Sequence, residues 1–275
     1  MRVTDEIITS RRNPTVVETV KLSDKKTRDK EGLFRFDGFK LFSEAVEKGV
    51  FIERILLCES RAGEFMPRLE GCKGLDGATV SVLADDVFAK VSEEQAPEGL
   101  ICVARFPKKH IKKATRKDLE VTARDMHRRI LMLESVRDPG NMGTVMRSAA
   151  AFGVDTLVIS RDCADIYNPK TVRGAMGALF RLNIFVFDDI CEAVNLLMES
   201  GRKVYAAALD REAVRLDETE FSPSDTALIG NEGHGLSKEA INVCTRSLYI
   251  PMEEGCESLN AGVAASVILW SMYRK

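Results

Sequence analysis

Histidine and tryptophan are scarce in this chain, and long apolar runs are missing. The three histidines (His110, His127, His234) stand far apart, and the seven cysteines contain no C-x-x-C pair. Spacing therefore offers no zinc site, and an odd, scattered set of thiols argues against a disulfide framework. Reduced cysteines fit a cytoplasmic protein with no bound metal. No window reaches the roughly 18 apolar residues of a membrane span, and Arg2, Asp5 and Glu6 interrupt the N-terminus where a secretory signal would be apolar. A net charge of −2 excludes coating nucleic acid by overall charge, and directs attention to local basic segments.

What is present is ordinary globular composition, 45% hydrophobic and 30% charged, in 275 residues, enough for two domains. Residues 1–29 form a basic extension. Residues 30–105 alternate between short apolar runs (Leu33–Phe36, Ile52–Cys58, Thr79–Leu83, Leu100–Phe106) and a helical pattern over Phe39–Lys48, a small α/β unit suited to binding. Residues 106–128 are expected to be a basic linker or solvated helix, since Phe106–Arg129 holds nine basic residues against three acidic ones. That stretch is equally compatible with a solvated connector and with an RNA contact. From 129 to 275 strands and helices alternate regularly, which predicts parallel strands with helices on both faces and ligand loops beyond the strands' carboxyl ends.

Three such loops stand out. Asp138-Pro139-Gly140-Asn141-Met142-Gly143 reads as a tight turn before a helix that carries Arg147, whose guanidinium offers a bidentate fork to oxygen ligands. By itself it is equally a plain helix-entry turn with a surface arginine. Gly230-Asn231-Glu232-Gly233-His234-Gly235 follows an apolar strand and precedes a helix capped by Ser237. Its spacing is G-x-x-G-x-G, neither the dinucleotide fingerprint nor a P-loop, and the charge of Glu232 disfavours an anion. A cationic or neutral ligand suits it better, with His234 read most simply as a loop residue. The third loop runs from Ile250-Pro251-Met252 to Glu257-Ser258-Leu259-Asn260 at the start of a helix over Ser258–Tyr273. Ser258 suits an N-cap, Asn260 in the first turn can face a ligand, and Met252 and Leu259 fit core positions as well.

Taken in order, Asn141-x-Gly143-x-x-x-Arg147, Gly230–Gly235 and Ile250–Met252 with Ser258–Asn260 resemble the three motifs of the SpoU (TrmH-like) RNA 2′-O-ribose methyltransferases. The small unit before them resembles the substrate-binding domain of ribosomal-RNA members. Asn260-Ala261-Gly262-Val263 and the acidic Glu253 and Glu254 depart from the usual pattern. The resemblance implies a deep trefoil knot in the parallel sheet, a homodimer whose active site draws on both subunits, S-adenosyl-L-methionine as cofactor and an RNA substrate, ribosomal before transfer RNA. It implies that Gly230, Asn231, Gly233, Ile250, Met252 and Leu259 hold the cofactor. Asn141, Glu232, Ser258 and Asn260 would shape the reaction centre, with Arg147 beside the ribose. Arginine stays protonated in almost all settings, so Arg147 is expected to orient the nucleotide and stabilise oxyanion charge while a phosphate or water takes the proton.

Two other readings of the same residues are a nucleotide-binding oxidoreductase, disfavoured by the glycine spacing, and a non-catalytic RNA-binding protein on the same fold, disfavoured by intact Arg147 and Asn260.

Overall fold

Short segments of high β-propensity pair into two separate sheets, each in its own compact unit. The computed structural model describes residues 1–92, 96–210, 212–253, 255 and 258–273. Glu254 and Glu257, both noted in the sequence, and Cys256, one of the seven cysteines, lie outside them. One unit comprises Met1–Pro107 with Tyr167–Arg173, and the other Lys108–Ile166 with Gly174–Lys275.

The first unit contains β1 (Arg2–Val3), α1 (Pro14–Lys21), α2 (Lys25–Glu31), β2 (Leu33–Asp37), α3 (Phe39–Glu47), β3 (Ile52–Cys58), α4 (Glu59–Glu70), β4 (Thr79–Leu83), α5 (Asp85–Val91) and β5 (Leu100–Arg105). The sheet runs β1-β4-β3-β5-β2, with β5 antiparallel to both of its neighbours. The first 29 residues are not a loose extension. Asn13 and Asp24 cap α1 and α2 by accepting from Thr15 N–H (2.9 Å) and Thr27 N–H (2.8 Å), while Val16 and Leu22 are buried. Tyr167 also belongs to this unit, its ring stacked on Phe106 at 4.0 Å between centroids.

The second unit contains β6 (His110–Ile111), α6 (Arg116–Arg124), β7 (Ile130–Leu133), α7 (Pro139–Ala151), β8 (Thr156–Ser160), the end of α8 (Pro169–Ala175), β9 (Asn183–Phe187), α9 (Ile190–Glu199), β10 (Val204–Ala207), β11 (Val214–Arg215), β12 (Thr226–Ile229), α10 (Lys238–Val243), β13 (Arg246–Tyr249) and α11 (Ala261–Tyr273). Its eight strands run β11-β13-β10-β12-β7-β8-β9-β6, and every pairing is parallel. Strands β7, β8 and β12 are buried along their whole length, as a sheet covered on both faces requires. Alternate residues Ile130, Met132, Val158 and Leu228 pack against α6, α9 and α10. Their neighbours Leu131, Leu133, Leu157 and Ile229 point the other way, towards the face covered by α7 and α11.

The stretch expected as a linker is part of this fold. β6 pairs with β9 at the sheet edge, Leu119 and Ala123 of α6 are fully buried, and Thr115 with Asp118 forms a capping box. Buried Arg202 ties the end of α6 to the entrance of β12, donating to the carbonyls of Ala123 (2.8 Å), Arg128 (3.0 Å) and Ser224 (2.8 Å). Composition registered the positive charges of this stretch but not their remote partners, such as Glu199 for Arg116 and Asp155 for Arg128. Among the described residues no helix is long and apolar enough to cross a membrane, and no group of three or more residues could hold a metal ion.

His110 lies buried at the sheet edge with a ring nitrogen 3.2 Å from the carbonyl oxygen of Leu182. Burial, with the Lys109 charge adding to it, lowers its pKa to about 3. The unfolded chain, with an ordinary imidazole near 6.5, then binds the extra proton first. Stability contributed by neutral His110 is therefore full above about pH 6.5 and declines as pH falls toward 3, by up to about 1.4 kcal/mol per unit. Denaturant titrations between these limits should show that slope, and His110→Gln should remove it.

Candidate active site

The carboxyl ends of β7, β12 and β13 carry the three loops picked out in the sequence, because parallel strands all deliver their ends to one edge of the sheet. The first is not a loop before a helix. Asp138 is the N-cap of α7, accepting from Asn141 N–H at 2.8 Å with Pro139 at the first helical position, so Asn141 and Gly143 belong to the helix itself. Gly143 packs against Gly174, where an added Cβ would sit 3.3 Å from the Gly143 Cα.

The second loop folds back on itself. Asn231 and Gly235 exchange backbone hydrogen bonds at 3.0 Å each, and the Asn231 side chain accepts from Gly233 N–H (2.8 Å) and His234 N–H (3.1 Å). Its Nδ2 donates to the carbonyl of Ser135 at 2.8 Å, just beyond β7. Ser237 caps α10 as expected, accepting from Ala240 N–H at 3.1 Å. The carboxylate of Glu134 receives both the N–H (2.8 Å) and the hydroxyl (2.7 Å) of Ser237. Glu134 was not singled out in the sequence, where it is only the last residue of an apolar run.

In the third loop the cap is Asn260, not Ser258. Asn260 Oδ1 accepts from Gly262 N–H (2.9 Å) and Val263 N–H (3.3 Å), so α11 begins at Ala261. Asn260 Nδ2 donates to Asn141 Oδ1 at 2.8 Å, and Asn141 Nδ2 donates to Glu232 Oε1 at 2.7 Å. Three residues expected at the reaction centre are thus joined in one hydrogen-bonded chain.

Beside that chain lies a cleft of about 410 Å³, lined mainly by apolar groups of Leu209, Leu236, Leu248, Ile250, Met252 and Leu259, with Ser258 and His234 also on its wall. The size is that of a small-molecule site. Ile250, Met252 and Leu259, expected to hold a cofactor, line it, whereas Gly230, Asn231 and Gly233 do not. Ala207–Leu209, at the end of β10, also lines it. That segment lacks glycine and charge until Asp210, and only the strand order places it next to β13. Arg147 is not brought to the chain of amides. It is exposed on α7 and makes no hydrogen bond or ion pair among the described residues. Six residues from Asn141, it lies about a third of a turn away around the helix.

Two family comparisons bear on this arrangement. The SpoU rRNA Methylase family matches residues 128–270, and the MRM3-like substrate binding domain matches residues 13–102. The chain belongs to the SpoU rRNA methylase family. Among its relatives, the Bacillus subtilis 23S rRNA (guanosine(2553)-2′-O)-methyltransferase RlmP is 31% identical over 96% of this chain and 98% of its own. A 23S rRNA (uridine(2479)-2′-O)-methyltransferase of Streptomyces viridochromogenes is 26% identical over 92% of this chain and 87% of its own. The same fold occurs in the AdoMet-bound rRNA methyltransferase from Sinorhizobium meliloti, with a TM-score of 0.83 at 24% identity over 99% of this chain and 98% of that one.

Gly230 and Gly233 differ in what surrounds them, and the difference is measurable. A Cβ on Gly230 would lie 2.4 Å from the Gly235 carbonyl carbon and 2.5 Å from Leu236 N, both backbone atoms that cannot yield. On Gly233 it would meet only Asn231 Oδ1 at 3.6 Å. Gly230→Ala should lose about 2 kcal/mol or more in thermal unfolding, while Gly233→Ala should stay within about 1 kcal/mol of the parent.

Proposed function

We propose that this chain is an S-adenosyl-L-methionine-dependent RNA methyltransferase that methylates a ribose 2′-hydroxyl in ribosomal RNA. The observation that carries the reading is the apolar cleft bounded by Ile250, Met252 and Leu259 next to the chain Asn260–Asn141–Glu232. The two relatives named above act on 23S rRNA at a guanosine and at a uridine, so the base identity is not carried over with the family.

The residues present fit the cofactor: apolar walls for the adenosine, and, in the hydrogen-bonded chain next to the cleft, the Glu232 carboxylate for the positive charge of the sulfonium and amino groups. When bound, it supplies a methyl group already activated by the sulfonium. The protein's task is then alignment and charge stabilisation. Ile250, Met252 and Leu259 hold the adenosine, with Gly230, Asn231 and Gly233 shaping the loop beneath. Asn141 and Asn260 fix Glu232, and Ser258 lines the wall toward the reaction centre. Arg147 orients the nucleotide and stabilises oxyanion charge as the 2′-oxygen loses its proton to a neighbouring phosphate or water.

A homodimer with an active site drawing on both subunits completes this reading. The separation of Arg147 from Asn141 within one chain supports it. So do the apolar Val263 and Trp270, 47% and 52% exposed one heptad apart on α11. We further assign a deep trefoil knot to the C-terminal region. The chain places β13 on the far side of β10 from β12, then returns to pack α11 on α7. A cytoplasmic location is consistent with the proposed ribosomal substrate.

The reading is tested by incubating the chain with methyl-labelled cofactor and total ribosomal RNA and mapping new 2′-O-methyl positions. Arg147→Lys keeps the charge but loses the fork. It should lower turnover about 10²-fold and leave S-adenosylhomocysteine affinity unchanged by calorimetry. Turnover equal to the parent's would refute the assigned role.

A further inference from the structure

The carbonyl that receives Asn231 belongs to a residue in an unusual conformation. Ser135 has a φ of +56°, a region that favours glycine. Its N–H donates to Ser160 Oγ at 2.9 Å and its hydroxyl to Asp162 Oδ2 at 2.5 Å. Ser160 Oγ in turn donates to Asp162 Oδ1 at 2.6 Å, and Arg137 Nη2 donates to Asp162 Oδ2 at 2.9 Å. One carboxylate beyond β8 therefore gathers three donors around the end of β7. Burial works against its charge, yet the bonds from Ser135, Ser160 and Arg137 hold its pKa at about 2, so it accepts all three throughout the neutral range.

We propose that Asp162 is a positioning residue for methyl transfer, clamping Ser135 in the left-handed conformation that turns its carbonyl to Asn231 and so fixes the loop carrying Glu232. The link is continuous: Asp162 to Ser135, Ser135 to Asn231, and Asn231 to the amides of Gly233 and His234, which directly follow Glu232. Asp162 lies in none of the three sequence motifs and does not line the cleft. The proposal rests on the methyl-transfer reading for its kinetic consequence, though not for its geometry.

The test compares Asp162→Ala with the double variant Asp162→Ala/Ser135→Gly, because glycine takes this φ without a clamp. Asp162→Ala should lower kcat about tenfold while KM for RNA and S-adenosylhomocysteine affinity change less than about twofold, and the added glycine should restore most of the loss. In NMR spectra the side-chain amide signal of Asn231 should shift in Asp162→Ala and return in the double variant. A kcat within about twofold of the parent, or an unmoved Asn231 signal, would overturn the proposal. Should Asp162→Ala fail to fold, Asp162→Asn, which keeps the size and one acceptor oxygen, is judged by the same two readouts. A parent chain that transfers no methyl group would overturn the functional reading instead, while the Asn231 signal would still decide whether Asp162 positions the loop.

Discussion

The negative charge of Glu232 sets the direction of the side-chain hydrogen bonds that run from it through Asn141 to Asn260. A carboxylate only accepts, so Asn141 must present its amide N–H to Glu232 and its oxygen to Asn260. Asn260 must then give its own N–H to Asn141, which leaves its oxygen for the free N–H groups at the start of α11. The chain ends on a helix terminus that needs an acceptor, so both ends agree on one polarity. Aspartate in place of Asn141 would set two carboxylates together, and leucine would take from Glu232 and from Asn260 the bond each makes to Asn141. One amide thus ties α7, the loop after β12 and the start of α11 into a single register.

That register depends on the sheet beneath it. β7 and β12 are adjacent and parallel, with Leu131 opposite Ala227 and Leu133 opposite Ile229, so their following loops emerge side by side. Glu134 continues the pairing, its N–H bonded to the Ile229 carbonyl at 2.9 Å, and its carboxylate then caps the turn into α10 through Ser237. Facing α7 and α11 meet through Ser148 and Ser266, hydroxyl to hydroxyl at 2.7 Å, and through Gly262, where an added Cβ would lie only 3.0 Å from the Thr144 side chain. Small residues on these helices let Asn141 and Asn260 come within one hydrogen bond.

Sequence patterning made the parallel sheet legible, because alternating apolar runs and helical spacings carry their own periods, and the family resemblance located all three motif runs. The finer assignments turned on interactions that span the chain. Ser258 and Asn260 are both good caps, and the second is the one used, its Oδ1 taking the helix N–H groups while its Nδ2 is held by Asn141, 119 positions away. Asp138-Pro139 is a sound helix start, but the glycines after it drew attention toward a turn that α7 absorbs. The basic stretch looked solvated because its neutralising partners, Glu199 and Asp155, lie in other elements. Ser135 gave no sign at all, since a left-handed serine is held by tertiary contacts rather than by its own preference.

The glycine-rich loop also explains why a dinucleotide or phosphate is the wrong ligand on geometric grounds. Phosphate cradles work by turning successive backbone N–H groups outward to the anion. Here Gly233 and His234 turn theirs inward to Asn231 Oδ1, and Gly235 gives its own to the Asn231 carbonyl. The donors a phosphate would need are already occupied by the loop's own asparagine. What remains is the half-buried Glu232 carboxylate, held by Asn141, next to a cleft wall of carbon, a combination that disfavours an anion and suits an apolar group bearing positive charge. Gly230 enters the same logic from below: with no room for a Cβ, it allows the strand end to pass directly beneath Gly235 and Leu236, which brings the closed loop onto the edge of the cleft.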